Sequence, residues 1–137
     1  VEDARTGRSI GFALAYHFDQ WDGWLFVAMY LEKAYRLKGH GGEAALLCVD
    51  ALFRWFPIRV MYTEVYDFAE PLLRLVETMG FQQVGHQPDH YWHEDRFWGI
   101  TRLGLTREHW LERREHFAAI LSVQRHYEEI TAKEGGV

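Results

Sequence analysis

The chain has 137 residues, 48% of them hydrophobic, and a formal net charge of −5. This length and apolar content suit one domain with its own buried core, and a second domain would not fit. The acidic balance argues against a general nucleic-acid surface and mildly favours cationic partners such as amines. No apolar stretch approaches membrane-spanning length, so neither a nucleic acid nor a membrane is an expected partner.

Cysteine usage bears on the surroundings of the protein. The lone Cys48 cannot form an internal disulfide, and no segment resembles a secretion signal. These two features predict a reducing, cytoplasmic setting.

Two strands are predicted at the start of the chain. Alternating and apolar residues indicate strands at Ser9–Phe18 and Trp24–Leu31. The segment between them ends in Asp-Gly, which favours a hairpin, so these strands should be antiparallel.

A helix and a third strand follow. Apolar residues at helical spacing predict a helix over Glu43–Phe56, and Pro57 prevents its continuation. Alternation then predicts a strand at Ile58–Val65. Because a crossover helix joins parallel neighbours, Trp24–Leu31 and Ile58–Val65 should run parallel.

The second half of the chain is expected to hold two further helices and two further strands. The first helix is closed by Gly80 as its C-terminal cap, and the second begins near Thr106. Strands are predicted at Phe81–Gly85 and Phe97–Leu105. The apolar faces of the two helices are predicted to be Ala69, Leu72, Leu73, Val76 and Met79, and Trp110, Leu111, Phe117 and Leu121.

The glycine-rich run 36–41 lies between the apolar strand Trp24–Leu31 and the helix that follows. Glycines let the backbone adopt positive φ, so that successive N–H groups can converge on one point. At a helix start these N–H groups lack partners within the helix, and the macrodipole adds partial positive charge. The run therefore predicts a phosphate-binding loop.

Three phosphate-binding patterns are candidates for this run. A P-loop would end in Gly-Lys-Ser/Thr, which is absent. Residues 39–44 fit the dinucleotide pattern G-x-G-x-x-A, with Glu64 near the place of a ribose-binding acid, but the polar stretch 32–38 separates the strand from the first glycine. The third pattern, R/Q-x-x-G-x-G/A after a strand and a short loop, fits without adjustment.

This third pattern resembles the coenzyme A loop of the GNAT acyltransferase superfamily. Tyr35–Ala44 is similar to the "YRGKGYATEA" loop of the ribosomal-protein and antibiotic N-acetyltransferase branch, and Arg74–Phe81 is similar to its "RVLEKLGF". Arg5–Phe12 resembles the turn and strand written "tG..iGf", and Leu105–Trp110 resembles the closing segment that ends in Glu-Trp. The four matches span nearly the whole chain in the family's order.

The resemblance implies an α+β GNAT fold, with a mixed, mostly antiparallel sheet, a central splayed parallel strand pair and flanking helices. Residues 1–137 would form a single acyltransferase domain. The family places a strand and two helices before its second strand, and the resemblance begins near the end of that strand. We therefore expect the N-terminal strand and helices of the fold to be missing from this sequence.

The resemblance also implies N-acetyltransfer with acetyl-CoA as the acyl donor. The partner would be a primary amine of a small molecule or of a peptide N-terminus, and a homodimer is an assembly left open. The strand before the loop would supply backbone for the thioester carbonyl and the pantetheine arm, at about Tyr30, Leu31 and Glu32. The positions that match the phosphate loop are Leu37, Lys38, Gly39, His40, Gly41 and Gly42.

The proton-transfer residues of the family are not found at their usual positions. Val76 stands where many members have a tyrosine, and Ala69 and Leu72 stand where the closer branch has Asn and Ser. None of these three side chains can donate a proton. Glu64 and Tyr66 share a face of the third strand and are our candidate catalytic residues. Glu64 could accept an amine proton through water, with Glu32 as a second choice.

The histidines, the tryptophans and Cys48 do not predict a catalytic or metal site. His86, His90 and His93 lie in a region predicted as a strand and a loop, without the spacing of a metal site, and this loop is expected to shape the acceptor pocket. Tryptophans are expected in the core or an interface rather than in a stacking platform. No metal is predicted, and Cys48 is not expected to be a nucleophile.

Two rival functions stay open. A domain that binds acyl-CoA without catalysis, as a sensor or structural module, would explain the missing proton donors. A fragment of a dinucleotide-binding oxidoreductase would explain the glycine pattern less well.

Overall fold

The computed structural model describes residues 1–36 and 38–119, which form a five-stranded sheet and helices. The strand order is β1-β2-β3-β5-β4, and only β2 and β3 are parallel neighbours. Helix α3 is described over residues 107–119 and follows β5 directly. The other elements are β1 Gly11–Asp19, β2 Trp24–Leu31, α1 His40–Trp55, β3 Val60–Tyr66, α2 Glu70–Thr78, β4 Gln82–His93 and β5 Arg96–Thr106.

The hairpin of β1 and β2 forms as the sequence predicts. The carboxylate of Asp19 accepts hydrogen bonds from the backbone N–H groups of Trp21 and Asp22, both at 2.9 Å. Gly23 then adopts a φ of 69°, a conformation that favours glycine. The antiparallel register that results pairs Gly11 with Leu31 and Asp19 with Trp24.

The helices share one hydrophobic core with one face of the sheet. Side chains of α1, α2 and α3 pack together with alternate residues of β2, β3 and β5. This alternation leaves the residues between them on the opposite face. The core includes Leu25, Val49, Phe53, Met61, Val65, Val76, Met79, Leu103, Leu105, Trp110 and Phe117.

Arg107 joins α3 to the end of α1. Its guanidinium donates to the backbone carbonyls of Phe53 at 2.6 Å, Phe56 at 2.6 Å and Ile58 at 2.8 Å. Carbonyls at the end of a helix lack partners within it, and a cation there also complements the macrodipole. The crossover from β2 through α1 to β3 is therefore fixed at its C-terminal end.

The parallel strand pair separates, as predicted. Pairing between β2 and β3 covers Trp24 with Val60, Leu25 with Met61 and Phe26 with Tyr62, and it goes no further. Beyond Phe26, β2 stays paired only with β1, and beyond Tyr62, β3 stays paired only with β5. The two strands thus enclose a gap at their C-terminal ends.

The sequence predicts a loop after Gly85, and this prediction is wrong. β4 continues to His93 and turns into β5 through Glu94 and Asp95, which both have positive φ. Pro88 lies where the register with β5 shifts between Gln87 and Tyr91, and a bulge tolerates proline.

Smaller differences concern the ends of elements. Helix α1 begins at His40, three residues before the predicted start, and β3 begins at Val60 rather than Ile58. Ala69 is the N-cap of α2, and it packs against the core as predicted. Leu121, predicted on the last helix, lies outside the described residues. Within residues 1–36 and 38–119, no helix has the length and apolar character needed to cross a membrane.

Candidate functional site

The glycine run forms the start of α1. Gly39 is the N-cap with a φ of 88°, and His40 is the first helical residue. The amide of Glu43 makes the first helical bond, to the Gly39 carbonyl at 3.1 Å. The amides of His40, Gly41 and Gly42 are therefore first-turn groups without an i−4 acceptor inside the helix.

Close packing places this helix start at the end of β2. A Cβ added to Gly41 would lie 3.0 Å from the Leu31 side chain, and one added to Gly42 would lie 3.8 Å from the Leu75 side chain. The first turn of α1 is thus held between β2 and α2. Its amides lie at the mouth of the gap between β2 and β3, as the phosphate-loop prediction requires.

Arg36 ties the loop to the strand before it. Its Nε donates to the Leu31 carbonyl at 2.8 Å, and its guanidinium carbon lies 5.3 Å from the centre of the Tyr30 ring. The first residue of the R-x-x-G-x-G pattern therefore has a positioning role. Lys38 is exposed beside the loop, and Leu37 lies outside the described residues.

The hydrogen-bond alternation of β2 decides which amides face the gap. Glu32 N–H donates to the Ile10 carbonyl at 2.8 Å, which makes Gly11 and Leu31 a non-hydrogen-bonded pair. The N–H and C=O of Leu31 therefore point away from β1. Of the three predicted backbone positions, Leu31 alone directs its amide into the gap, because Tyr30 and Glu32 point toward β1.

Met29 is a further backbone position that the sequence reasoning did not identify. It pairs with Ala13, two residues along from the Leu31 pair, so its amide has the same orientation as that of Leu31. The two amides are spaced as on the edge of a sheet. An extended ligand could pair with them as an added strand does.

A cavity of about 560 Å³ opens on the sheet face opposite the helices, and we call it the sheet-face cavity. Its walls include Trp24, Phe26, Tyr62, Glu64, Ile100 and Arg102. Phe26 and Tyr62 are the last paired residues of β2 and β3, and Glu64 is the next residue of β3 on this face. The cavity therefore borders the gap.

The predicted proton acceptor Glu64 is held by an arginine. Arg102 lies opposite it on β5 and donates to Glu64 Oε1 from Nε at 3.0 Å and from Nη2 at 2.7 Å. The same guanidinium lies 5.1 Å from the centre of the Phe26 ring. Arg102 was not identified from the sequence, because only the strand register reveals that it faces Glu64.

The charge of Glu64 also acts on a phenol on β1. Desolvation by burial, and then the negative charge of Glu64, raise the pKa of Tyr16 above its ordinary value. The Tyr16 ring packs 5.6 Å from that of Phe26. A phenol with a raised pKa stays protonated at neutral pH and can donate a hydrogen bond.

The second predicted catalytic residue, Tyr66, belongs to an aromatic cluster. Its ring stacks on Phe68 at 5.4 Å and lies 4.6 Å from Tyr91, and Phe68 in turn stacks on His93 at 4.4 Å. The cluster joins the end of β3 to the hairpin of β4 and β5. Tyr66 thus shares the face of Glu64 but packs against rings, so its part in catalysis stays a prediction.

A histidine–carboxylate pair lies at the end of β3, where Asp67 directly follows Tyr66. Asp67 Oδ2 lies 2.8 Å from His86 Nε2, and Asp67 Oδ1 accepts from the Thr101 hydroxyl at 3.2 Å. A Cβ at Gly99 would lie 2.4 Å from Asp67 Oδ2, so glycine is required there for the pair to form.

The remaining predicted residues are placed as follows. Glu32 forms an ion pair with Arg8 at 2.9 Å at the outer end of β2. Leu72 is exposed and Val76 is buried, so α2 brings no hydroxyl toward the gap from these positions. Burial raises the pKa of the Cys48 thiol, which disfavours a nucleophilic thiolate. In the described part of the chain, no three metal-ligating side chains come together.

Neither a protein-family model nor a curated protein sequence matches the chain. Solved structures do match. Spermidine N-acetyltransferase from Vibrio cholerae, in complex with CoA and spermine, has a TM-score of 0.75 at 18% identity, over 80% of this chain and 64% of that one.

Two further structures give the same result. A putative phosphinothricin N-acetyltransferase has a TM-score of 0.66 at 22% identity, over 77% of this chain and 67% of that one. A GNAT-family acetyltransferase from Bacillus anthracis has a TM-score of 0.68 at 15% identity, over 78% of this chain and 64% of that one. The chain spans about two thirds of the length of these structures. It has the GNAT fold, as predicted from the sequence.

Proposed function

We propose that the protein is a CoA-dependent N-acyltransferase, with acetyl as the default acyl group and the primary amine of a small molecule or peptide N-terminus as the acceptor. The observation that carries this proposal is the gap between β2 and β3 with a glycine-rich helix start at its mouth. Support comes from the fold shared with acetyltransferases, one of which is in complex with CoA. The proposal also includes a cytoplasmic location and a homodimeric assembly.

Acyl-CoA would occupy the gap from the helix start inward. The pyrophosphate would bind at the amides of Gly39, His40, Gly41 and Gly42, with Lys38 beside them. The pantetheine arm would run along β2 as an added strand, on the amides of Met29 and Leu31. The Met29 amide, which lies deeper in the gap than that of Leu31, would then be the donor nearest the thioester carbonyl.

The transfer needs an amine that has lost its proton. Glu64 would take this proton through a water molecule, because its carboxylate faces the cavity that borders the gap. The amine nitrogen then forms a bond to the carbonyl carbon, and the oxyanion is stabilised by a backbone N–H. Collapse breaks the C–S bond and releases the CoA thiolate.

Protonation of the thiolate does not require a side chain. An ordinary thiol has a pKa of about 8.5, so a thiolate is a good leaving group near neutral pH and can take its proton from water. The lack of a hydroxyl at Ala69, Leu72 and Val76 is therefore compatible with catalysis. It is also the observation that favours the second candidate, an acyl-CoA-binding sensor or structural module without transferase activity.

Two measurements test the proposal in sequence. Calorimetry with CoA and, in parallel, with NADH should show that CoA binds and NADH does not. Binding of NADH in place of CoA would favour a dinucleotide-binding oxidoreductase. A free-thiol release assay with acetyl-CoA and a panel of amines should then show turnover. Tight CoA binding with no turnover on any amine would favour the sensor.

A further inference from the structure

The sheet-face cavity has more positive than negative charge on its walls. Two arginines, Arg59 and Arg102, line it with one acidic residue, Glu64, and Arg59 Nε donates to the Asp22 carbonyl at 2.7 Å. His86 also lines it, and the carboxylate oxygens of Asp67 behind His86 are occupied by His86 and Thr101. This local balance is opposite in sign to the net charge of the chain, which is −5.

The ion pair between Arg102 and Glu64 leaves one polar atom of each side chain available to a ligand. Both hydrogen bonds from Arg102 end on Glu64 Oε1. Among the described residues, no protein hydrogen bond is made by Glu64 Oε2 or by Arg102 Nη1. Phe26 supports the guanidinium from one side, so a carboxylate and a guanidinium edge are held next to each other, facing the cavity.

This arrangement is complementary to a ligand that carries both charges. An ammonium group would bind Glu64 Oε2, and a carboxylate would accept from Arg102 Nη1 in a charge-assisted hydrogen bond. A second ammonium in the same place would meet the guanidinium and be repelled. The apolar rings of Trp24, Phe26 and Tyr62 would cover the rest of the ligand.

Resting on the acyltransferase function proposed above, we infer that the acceptor is a zwitterionic amine, with a carboxylate or similar oxoanion close to the amine on an apolar body. Glu64 holds the ammonium next to the gap, where the thioester lies. Arg102 selects the anion. Polyamines, which carry no anion, are then poor acceptors even though the fold is shared with a spermidine acetyltransferase.

Binding to the CoA-saturated full chain tests this without requiring turnover. The probes are L-phenylalanine, L-phenylalaninamide, which has the same body without the carboxylate, and spermidine. Calorimetry should show L-phenylalanine binding at least about tenfold more tightly than the amide, and spermidine binding most weakly. In Arg102→Gln the preference for the carboxylate should disappear.

The matched control is Arg54→Gln. Arg54 pairs with Asp50 on α1 as Arg102 pairs with Glu64, but it lies at the far end of the helix from the glycine loop. This variant should keep the preference. Thermal unfolding of both variants checks the fold, and since exposed ion pairs contribute little to stability, both should unfold near the wild type.

The possible results separate the inference from the function on which it rests. A tighter complex with the amide or spermidine, an unchanged preference in Arg102→Gln, or no binding of any probe would overturn the zwitterion inference while CoA binding stands. A failure of CoA itself to bind would overturn the proposed function.

Discussion

Strand β3 has two edges that differ in how completely they are paired. On the β5 side, pairing runs from Val60 with Thr106 to Tyr66 with Ile100, which is the whole strand. On the β2 side it stops after Tyr62. The same strand is thus closed on one edge and half open on the other.

The difference shows where the protein gains stability and where it can bind a ligand. On the closed edge, Met61 and Leu103 are fully buried beneath the helices. On the open edge, backbone groups of β2 face a gap, and the glycine-rich start of α1 lies at its mouth. Unpaired edges are prone to add a strand, so leaving one inside the molecule suits a ligand with amide groups of its own.

The largest expected effect is the loss of stability caused by a substitution in the core beneath the closed edge. Leu103→Ala removes a fully buried side chain from β5 and should lower the free energy of unfolding by about 3 kcal/mol. The matched Leu14→Ala, on β1 at 50% exposure, should cost less than about 1 kcal/mol. Denaturant unfolding measures both, and equal costs would contradict the assignment of the core to one face.

The next effect is on the open edge. Gly41→Asp places bulk against Leu31 and a negative charge where the pyrophosphate should bind, so CoA affinity should fall by at least about a hundredfold. Gly41→Ala should weaken binding less, because the atom that its Cβ meets ends a flexible side chain. Leu47→Asp adds the same charge at an exposed site on α1 and serves as the control. Unchanged CoA affinity in Gly41→Asp would move the phosphate site elsewhere.

Glu64→Gln tests the proton acceptor beside the gap. The kcat of the variant should fall between about tenfold and a hundredfold. This loss is small for a general base, because water can partly replace the carboxylate. The KM for acetyl-CoA should not change. Glu77→Gln, on the exposed side of α2, is the control. A pH–rate profile that is the same in Glu64→Gln and the wild type would remove Glu64 from the mechanism.

The smallest effect concerns Tyr16. Its pKa is raised in the folded protein, so the unfolded chain loses this proton at a lower pH than the folded protein does. The contribution to stability is therefore present below the ordinary value of 10.0 and is lost as pH rises through the folded-state pKa. Between pH 10.0 and the folded-state pKa, unfolding measurements should show Tyr16→Phe losing stability less steeply than the wild type. An identical slope would mean that the pKa of Tyr16 is not raised in the folded protein.

The sequence predicts the closed parts of the molecule better than the open ones. Periodicity and the proline and glycine signals locate β1, β2, α1, β3 and α2, because local hydrogen bonding and burial decide them. The extent of β4 is missed because Pro88 lies in a bulge that only the pairing with β5 creates. Long-range pairing, rather than local propensity, decides that strand.

The candidate site divides in the same way. The phosphate loop at Gly39 is visible in the sequence because a helix start and its glycines are contiguous. Arg102 is not, because it reaches Glu64 from another strand through the register. The choice of Leu31 over Tyr30 and Glu32 likewise depends on which strand each amide faces.

Amide hydrogen exchange at the end of β2 tests the central claim most directly. In the free protein, the amides of Met29 and Leu31 should exchange faster than that of Tyr30, which points toward β1. Saturating CoA should slow exchange at Met29 and Leu31 and leave Tyr30 unchanged. Saturation that slows neither Met29 nor Leu31, or that slows Tyr30 instead, would contradict a pantetheine arm paired with β2 in the gap.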